Sequence, residues 1–270
     1  MRIAVTEIEK FQECELAHYY KYGLGLRFIN GNPPDYLRAG KAISDVLEAA
    51  FLDRLDTKQC ALGLAENVPV DIRGRVLKAL GAMPEWVWEV QLPMPEDKLE
   101  YNYPVTMREG KCEAVTFVGK PDLWFVESSS GLPEAVRIME FKAPSKNRQY
   151  EVNKSLEGYE RFGVQPIRYA VLLRDVYEWL ENVPIYRQHI LISQYGLVAE
   201  GNVVLVSDAL IDRTRREMLE IASRMYDTTP VPSYLYHCHR CEFSEVCIAR
   251  LTGGDESGII ETNFERRQRD

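Results

Sequence analysis

The stretch that most constrains this chain is "GKPDLWFVESSSGLPEAVRIMEFKA", residues 119–143. Two short runs rich in β-branched and aromatic residues flank a turn-forming Ser/Gly/Pro cluster, which predicts a β-hairpin. Setting Asp122 opposite Glu140 centres the turn on Gly131, inside that cluster, so the pairing and the turn agree. Residues i and i+2 of a strand share a face, so Lys142 joins Glu140 on the side of Asp122. The neighbouring residues are apolar on both faces (Leu123, Trp124, Phe125, Val126; Val136, Ile138, Met139, Phe141), which implies a strand pair covered on both sides.

Two carboxylates and an ammonium in such a setting are costly unless they serve a metal or each other. Asp122 and Glu140 offer hard oxygen ligands suited to Mg²⁺ or Mn²⁺. A metal held there lowers the pKa of a bound water, and Lys142 orients that water or offsets the charge of the phosphate under attack. The plainer alternative is a turn aspartate beside a surface Glu–Lys pair; the hairpin register and the apolar flanks favour the functional reading.

"PD" followed by E-x-K across a hairpin resembles the PD-(D/E)xK nuclease superfamily. "VQPIRYA" places Gln165 and Tyr169 at i and i+4 on one helix face, which resembles the Q-x3-Y motif of the RecB-like branch. In that branch the pair positions DNA beside the metal; by itself it reads better as a helix-cap glutamine and a core tyrosine. The resemblance implies an α/β fold, a central mixed β-sheet with flanking helices in a restriction-endonuclease-like core. It also implies a metal-dependent deoxyribonuclease acting on single strands or strand ends, exonucleolytic, with DNA as partner and a homo-oligomer or DNA-processing complex open to it. Phosphate-facing groups would come from Lys120, Lys142, Lys146, Arg148 and Lys154. The alternative is a DNA-binding or assembly subunit that keeps the fold with little catalysis.

Near the C-terminus, Cys238, Cys241 and Cys247 read C-x2-C-x5-C. Three thiols fit zinc completed by His237, His239 or Cys14, or an iron–sulfur cluster. The resemblance favours the cluster, with structural Zn²⁺ as the alternative. Iron–sulfur members of the RecB-like branch carry one cysteine near the N-terminus and three near the C-terminus, so Cys14, Cys238, Cys241 and Cys247 are expected to hold a [4Fe–4S] cluster. Its role would be to clasp the chain ends. The match spans nearly the whole chain and is nearest to CRISPR-associated RecB-like exonucleases and phage homologues. Cys60 and Cys112 fall outside any ligand spacing and are read as reduced thiols.

One departure stands out. The family's first helix carries G-x3-H-x3-E, whereas "GKAISDVLE" keeps Gly40 and Glu48 but has Ser44 in place of the histidine. Asp45 or Glu48 is the compensating ligand to look for, which adds Glu48 to the metal-binding candidates. None of the four histidines falls at the motif position, and none is assigned to catalysis.

The net charge of −8 lowers the expectation of nucleic-acid binding without deciding it, because only one groove has to be positive. No stretch matches a membrane span or a signal peptide, which points to the cytoplasm. Helices are expected within 7–26, ending in a Gly-rich exit, and over 35–55, 71–81, 149–163, 166–182 and 207–227, with Cys14 inside the first, and a hairpin over 186–207. The expected organisation is one domain over residues 1–252, with its core near 113–206 and the cluster clasp drawn from 1–30 and 207–252. Residues 253–270, with little to bury, would form a flexible tail.

Overall fold

The computed structural model describes residues 2–29, 35–53, 57–90, 98–106, 112–128, 132–144, 146–227, 229–233, 238 and 241–266. The hairpin centre Gly131 and the histidines His237 and His239 lie outside these residues, as does Leu55. The chain divides into two compact units: Met1–Asn32, Asn102–Phe117 and Arg216–Asp270 form the first, Pro33–Tyr101 and Val118–Arg215 the second.

In the first unit, β1 (Arg2–Ala4) leads into α1 (Val5–Glu13), and α2 (Glu15–His18) follows. Cys14 is not inside a helix: it separates α1 from α2 with an extended backbone, φ −163° and ψ 113°. A turn of π-helix, Tyr19–Gly23, precedes β2 (Leu26–Phe28). β3 (Leu99–Thr106) and β4 (Cys112–Gly119) join β1 in a sheet ordered β1-β4-β3.

Residues 256–266, read from the sequence as part of a flexible tail, carry regular structure. α10 (Ser244–Thr252) is followed by α11 (Glu256–Asn263) and β10 (Phe264–Arg266), which pairs antiparallel with β2. A few apolar residues suffice. Phe264 is buried against Phe243, rings 5.4 Å apart and stacked, with Ile259 and Ile260 packed on the same cluster. Asp255 caps α11 by accepting the Gly258 N–H at 2.8 Å.

The second unit holds the sheet that positions the site. β5 (Leu123–Glu127) pairs antiparallel with β6 (Ala135–Lys142), Leu123 opposite Met139, the register expected from placing Asp122 opposite Glu140. β6 pairs in parallel with β7 (Ile185–Ile192), which pairs antiparallel with β8 (Val198–Glu200) and β9 (Val204–Val206). The result is a mixed sheet with helices on both sides, an α/β fold.

One face of this sheet (Leu123, Phe125, Met139, Phe141, Ile190, Ile192) packs on α3 (Asp35–Asp53), α4 (Thr57–Ala65), α5 (Val70–Gly81) and α6 (Glu85–Trp88). α4 was not among the helices expected, and Leu37 on α3 is exposed. Against the other face lie α7 (Gln149–Phe162), whose Val152 and Leu156 meet Leu191, and α8 (Gln165–Val176). α8 stops at Val176 instead of running on to 182, because Tyr177 turns to an extended conformation before a short 3₁₀ turn, Glu178–Leu180. α9 (Asp208–Asp227) starts as expected, with the Ser207 hydroxyl accepting the Leu210 N–H at 3.3 Å.

Candidate active site

Asp122 sits one residue before β5, and its Oδ2 accepts the Phe141 N–H at 2.8 Å. This bond ties its carboxylate to the β6 backbone between Glu140 and Lys142. Glu140 is 1% exposed, and its Oε1 accepts a hydrogen bond from Lys142 Nζ. Lys142 Nζ also donates to Gln165 Oε1 at 3.4 Å, while Gln165 Nε2 donates to the Tyr169 hydroxyl at 2.6 Å. A continuous line of polar contacts therefore runs from Glu140 through Lys142 and Gln165 to Tyr169. Tyr169 is buried, with its hydroxyl on Gln165.

The electrostatics follow from burial. Desolvation pushes the Asp122 carboxyl above its usual range, against the pull of Lys142, the Phe141 N–H and Lys120. Burial alone would lower the proton affinity of Lys142. The Glu140 carboxylate outweighs it, with Asp122 and Tyr159 adding, and holds the ammonium above its usual range. Two carboxylates and one ammonium leave the pocket one charge negative when all are ionised, a deficit that a cation relieves.

The remaining candidates divide. Glu48 pairs with Lys120, two residues before Asp122, so it stands near the site but on a lysine. Asp45 is drawn away to Lys41 at 2.6 Å, and Ser44 is half-buried on the same helix. Lys146, Arg148 and Lys154 are exposed.

Two positions contribute that the sequence reading passed over. A Cβ on Gly119 would lie 2.7 Å from Leu172 Cδ1 and 2.9 Å from Tyr169 Cδ1, so only glycine lets α8 bring Tyr169 this close to the Lys-Pro-Asp turn. The glycine directly before that turn is the signal that was there to read. His189 is opposite Glu140 in the parallel register, buried, with its ring against Tyr159 at 6.1 Å. Desolvation, with Arg187 and Lys142 nearby, pushes its pKa down to about 4, so it is neutral at physiological pH. Sequence periodicity holds no signal for a parallel neighbour this distant in the chain.

Comparison with known proteins places these residues in a family. A model of the PD-(D/E)XK nuclease superfamily matches residues 2–248. The chain belongs to the PD-(D/E)XK nuclease superfamily. No curated protein matches it. Among solved structures, the crystal structure of SSO0001 is 15% identical and covers 92% of this chain and 86% of its own, with a TM-score of 0.40, too low to add to the assignment.

PD-(D/E)XK nucleases use Mg²⁺ or Mn²⁺, and the family implies a DNA substrate. Among the described residues, no three His, Cys, Asp or Glu side chains are grouped to hold a metal ion. The donor set still fits Mg²⁺ or Mn²⁺: these ions accept one or two carboxylates and fill their remaining positions with water and substrate phosphate. No helix of the described residues is long and apolar enough to cross a membrane.

In the first unit, Cys14, Cys238, Cys241 and Cys247 line one cavity of about 360 Å³, together with Tyr20, Phe243 and Ile248. Burial raises the Cys247 thiol pKa, and the charges of Cys14, Cys238 and Cys241 raise it further; burial likewise raises that of Cys241. Cys14 Sγ accepts the Ser233 N–H at 3.5 Å, and Cys238 Sγ donates to the Ser233 carbonyl at 3.2 Å. The four sulfurs thus share one pocket without the tight grouping of a metal site. Their chemistry, four soft donors on one apolar cavity, fits a thiophilic group.

Proposed function

We propose that this nuclease is a metal-dependent deoxyribonuclease that hydrolyses phosphodiester bonds in single strands or at strand ends, as an exonuclease. The observation that carries the reading is the constellation of Asp122, Glu140 and Lys142, with Lys142 bonded to both Glu140 and Gln165. A Mg²⁺ or Mn²⁺ ion, when bound, supplies an acidified water and offsets charge on the phosphate. Asp122 and Glu140 provide its protein ligands, with Glu48 available once it leaves Lys120. Lys142 Nζ holds its donors toward the place of attack, and the Gln165–Tyr169 bond keeps that ammonium from swinging. Lys120, Lys146, Arg148 and Lys154 meet the flanking phosphates.

Cys14, Cys238, Cys241 and Cys247 are assigned as the ligands of a [4Fe–4S] cluster, supported by their shared cavity and their thiolate chemistry. The cluster's role is to tie the N-terminal segment to the C-terminal one within the first unit. Protein purified without air is expected to be brown, with broad visible absorption and four iron atoms per chain; colourless protein carrying zinc contradicts the assignment.

The nuclease reading is tested with end-labelled single-stranded DNA and Mn²⁺. Wild-type protein is expected to shorten the strand progressively, and Asp122→Ala and Lys142→Ala to leave it intact. Intact DNA with the wild type, or equal digestion by the variants, overturns it. The Ser44 substitution favours a second reading, a DNA-binding subunit with weak catalysis, and slow wild-type cleavage with tight DNA binding would support that one.

A further inference from the structure

Near the lysine of the active site, the end of α7 carries two exposed aromatic rings. Phe162 is 74% exposed and Tyr159, one turn earlier, is 37% exposed. An exposed phenylalanine alone is ordinary. The placement of this pair is not. The Tyr159 ring lies beside the buried His189 ring, centroids 6.1 Å apart at an interplanar angle of 27°, and the residue stays exposed. His189 is the register partner of Glu140, which sets Tyr159 beside the strand that carries Glu140 and Lys142. Phe162 is joined through Gly163 and Val164 to Gln165, which accepts from Lys142. Both rings therefore lie within the reach of a nucleotide from the residues that hold the scissile phosphate.

The charge beside the rings has the sign a phosphate requires. The Arg161 guanidinium lies 5.9 Å from the Phe162 ring centroid. Spacings of three and four residues share a helix face, which aligns Ser155, Gly158, Tyr159 and Phe162 along one flank of α7. Glu157 and Glu160 leave from the other side, and Glu160 is engaged by the Asn202 N–H at 2.6 Å. This flank ends in two aromatic rings, and the carboxylate that shares it, Glu151, stands about two turns before Tyr159.

We infer that Tyr159 and Phe162 form a stacking platform for unpaired bases next to the scissile phosphate, making single-stranded DNA the preferred substrate. This rests on the nuclease reading above and names the residues that select the strand state. Only an unpaired base has a π-face to give to a side chain, since in a duplex those faces are already stacked on each other. The preference is therefore independent of sequence and resides in Tyr159 and Phe162, while Lys142 and Arg161 serve the backbone.

The test is fluorescence anisotropy with a fluorescein-labelled oligothymidylate and with a blunt DNA hairpin closed by a non-nucleotide glycol linker, in Ca²⁺ with no Mg²⁺ or Mn²⁺. Phe162→Leu keeps an apolar side chain at an exposed position, so its fold should be intact by circular dichroism. Phe162→Leu and Tyr159→Leu are each expected to weaken oligothymidylate binding roughly tenfold, in line with the loss of one stacked base, and to leave hairpin binding within about twofold. Phe162→Trp should bind the oligothymidylate at least as well as wild type. Leucine variants that match the wild type overturn the platform, as do variants that lose single-strand and hairpin binding equally. A wild-type protein that binds neither DNA contradicts the nuclease reading itself, a different failure from that of the platform.

Discussion

The carboxylate–lysine site and the cysteine cavity are built on opposite principles. Asp122, Glu140 and Lys142 lie within 21 residues of one another on paired strands, and a backbone bond from Phe141 to Asp122 fixes their spacing. The four cysteines come from the two ends of the chain, and Cys14 stands at a break between two helices, with no ladder to hold it. The first site is organised by hydrogen-bonded β-structure before anything binds. The second gathers its sulfurs into one cavity without grouping them as ligands. On the roles proposed above, chemistry that needs tight positioning sits on rigid elements, and the proposed clasp on looser ones.

The largest expected effect breaks the first region without touching the second. Lys142→Ala should reduce cleavage by about a thousandfold, as expected when a preorganised charge facing the reacting phosphate is removed. Melting temperature and visible spectrum should stay close to wild type. Single-turnover kinetics on labelled single-stranded DNA, with a thermal melt alongside, measures both.

The converse breaks the clasp. Cys247→Ser should bleach the visible absorption and cost several kcal/mol of stability, because metal-group binding free energy is folding free energy. Cleavage per folded molecule should fall by no more than a few-fold. If this variant melts like wild type, the clasp has no structural role. If it keeps its fold and loses cleavage entirely, the contrast between the two regions fails.

Two smaller effects sharpen the picture of the first region. Gly119→Ala forces a Cβ into Leu172 and Tyr169, and overpacking of this kind costs roughly 1–3 kcal/mol. By displacing Tyr169 it should loosen Gln165 and Lys142 and slow cleavage about tenfold, whereas Gly158→Ala, with nothing within 4 Å of its added Cβ, should not.

His189 has a folded pKa of about 4 against an ordinary value of 6.5, so on acidification the unfolded chain binds a proton the folded one refuses. Its contribution to stability is therefore present above pH 6.5 and is lost as the pH falls toward 4, by up to about 3 kcal/mol. Urea denaturation midpoints across that window should fall in the wild type and flatten in His189→Gln.

Much of the first region was legible in the sequence, and the reasons are physical. Strand alternation has a period of two, so one turn cluster and one carboxylate pair fixed the register of β5 on β6. The parallel pairing of β6 with β7 was not legible, because two helices intervene and nothing local records which strand they return to. Cys14 was expected in a helix because its neighbours are helix formers on both sides; only the structure shows the break that turns it toward the cavity. The C-terminal residues looked too polar to fold, yet Phe264 stacking on Phe243 and the pairing of β10 with β2 order them. Composition averaged over the segment hides one well-placed ring. Glu48 was legible as a nearby carboxylate, but its pairing with Lys120 was not.

The central claim is that Asp122 and Glu140 together form the divalent-metal site. Titration of Mn²⁺ followed by electron paramagnetic resonance reads this directly, without reference to cleavage. Wild-type protein is predicted to bind Mn²⁺ saturably, and Asp122→Asn, which keeps an oxygen acceptor for the Phe141 N–H while removing the charge, to bind it at least tenfold more weakly. Equal Mn²⁺ binding by the two proteins would contradict the account.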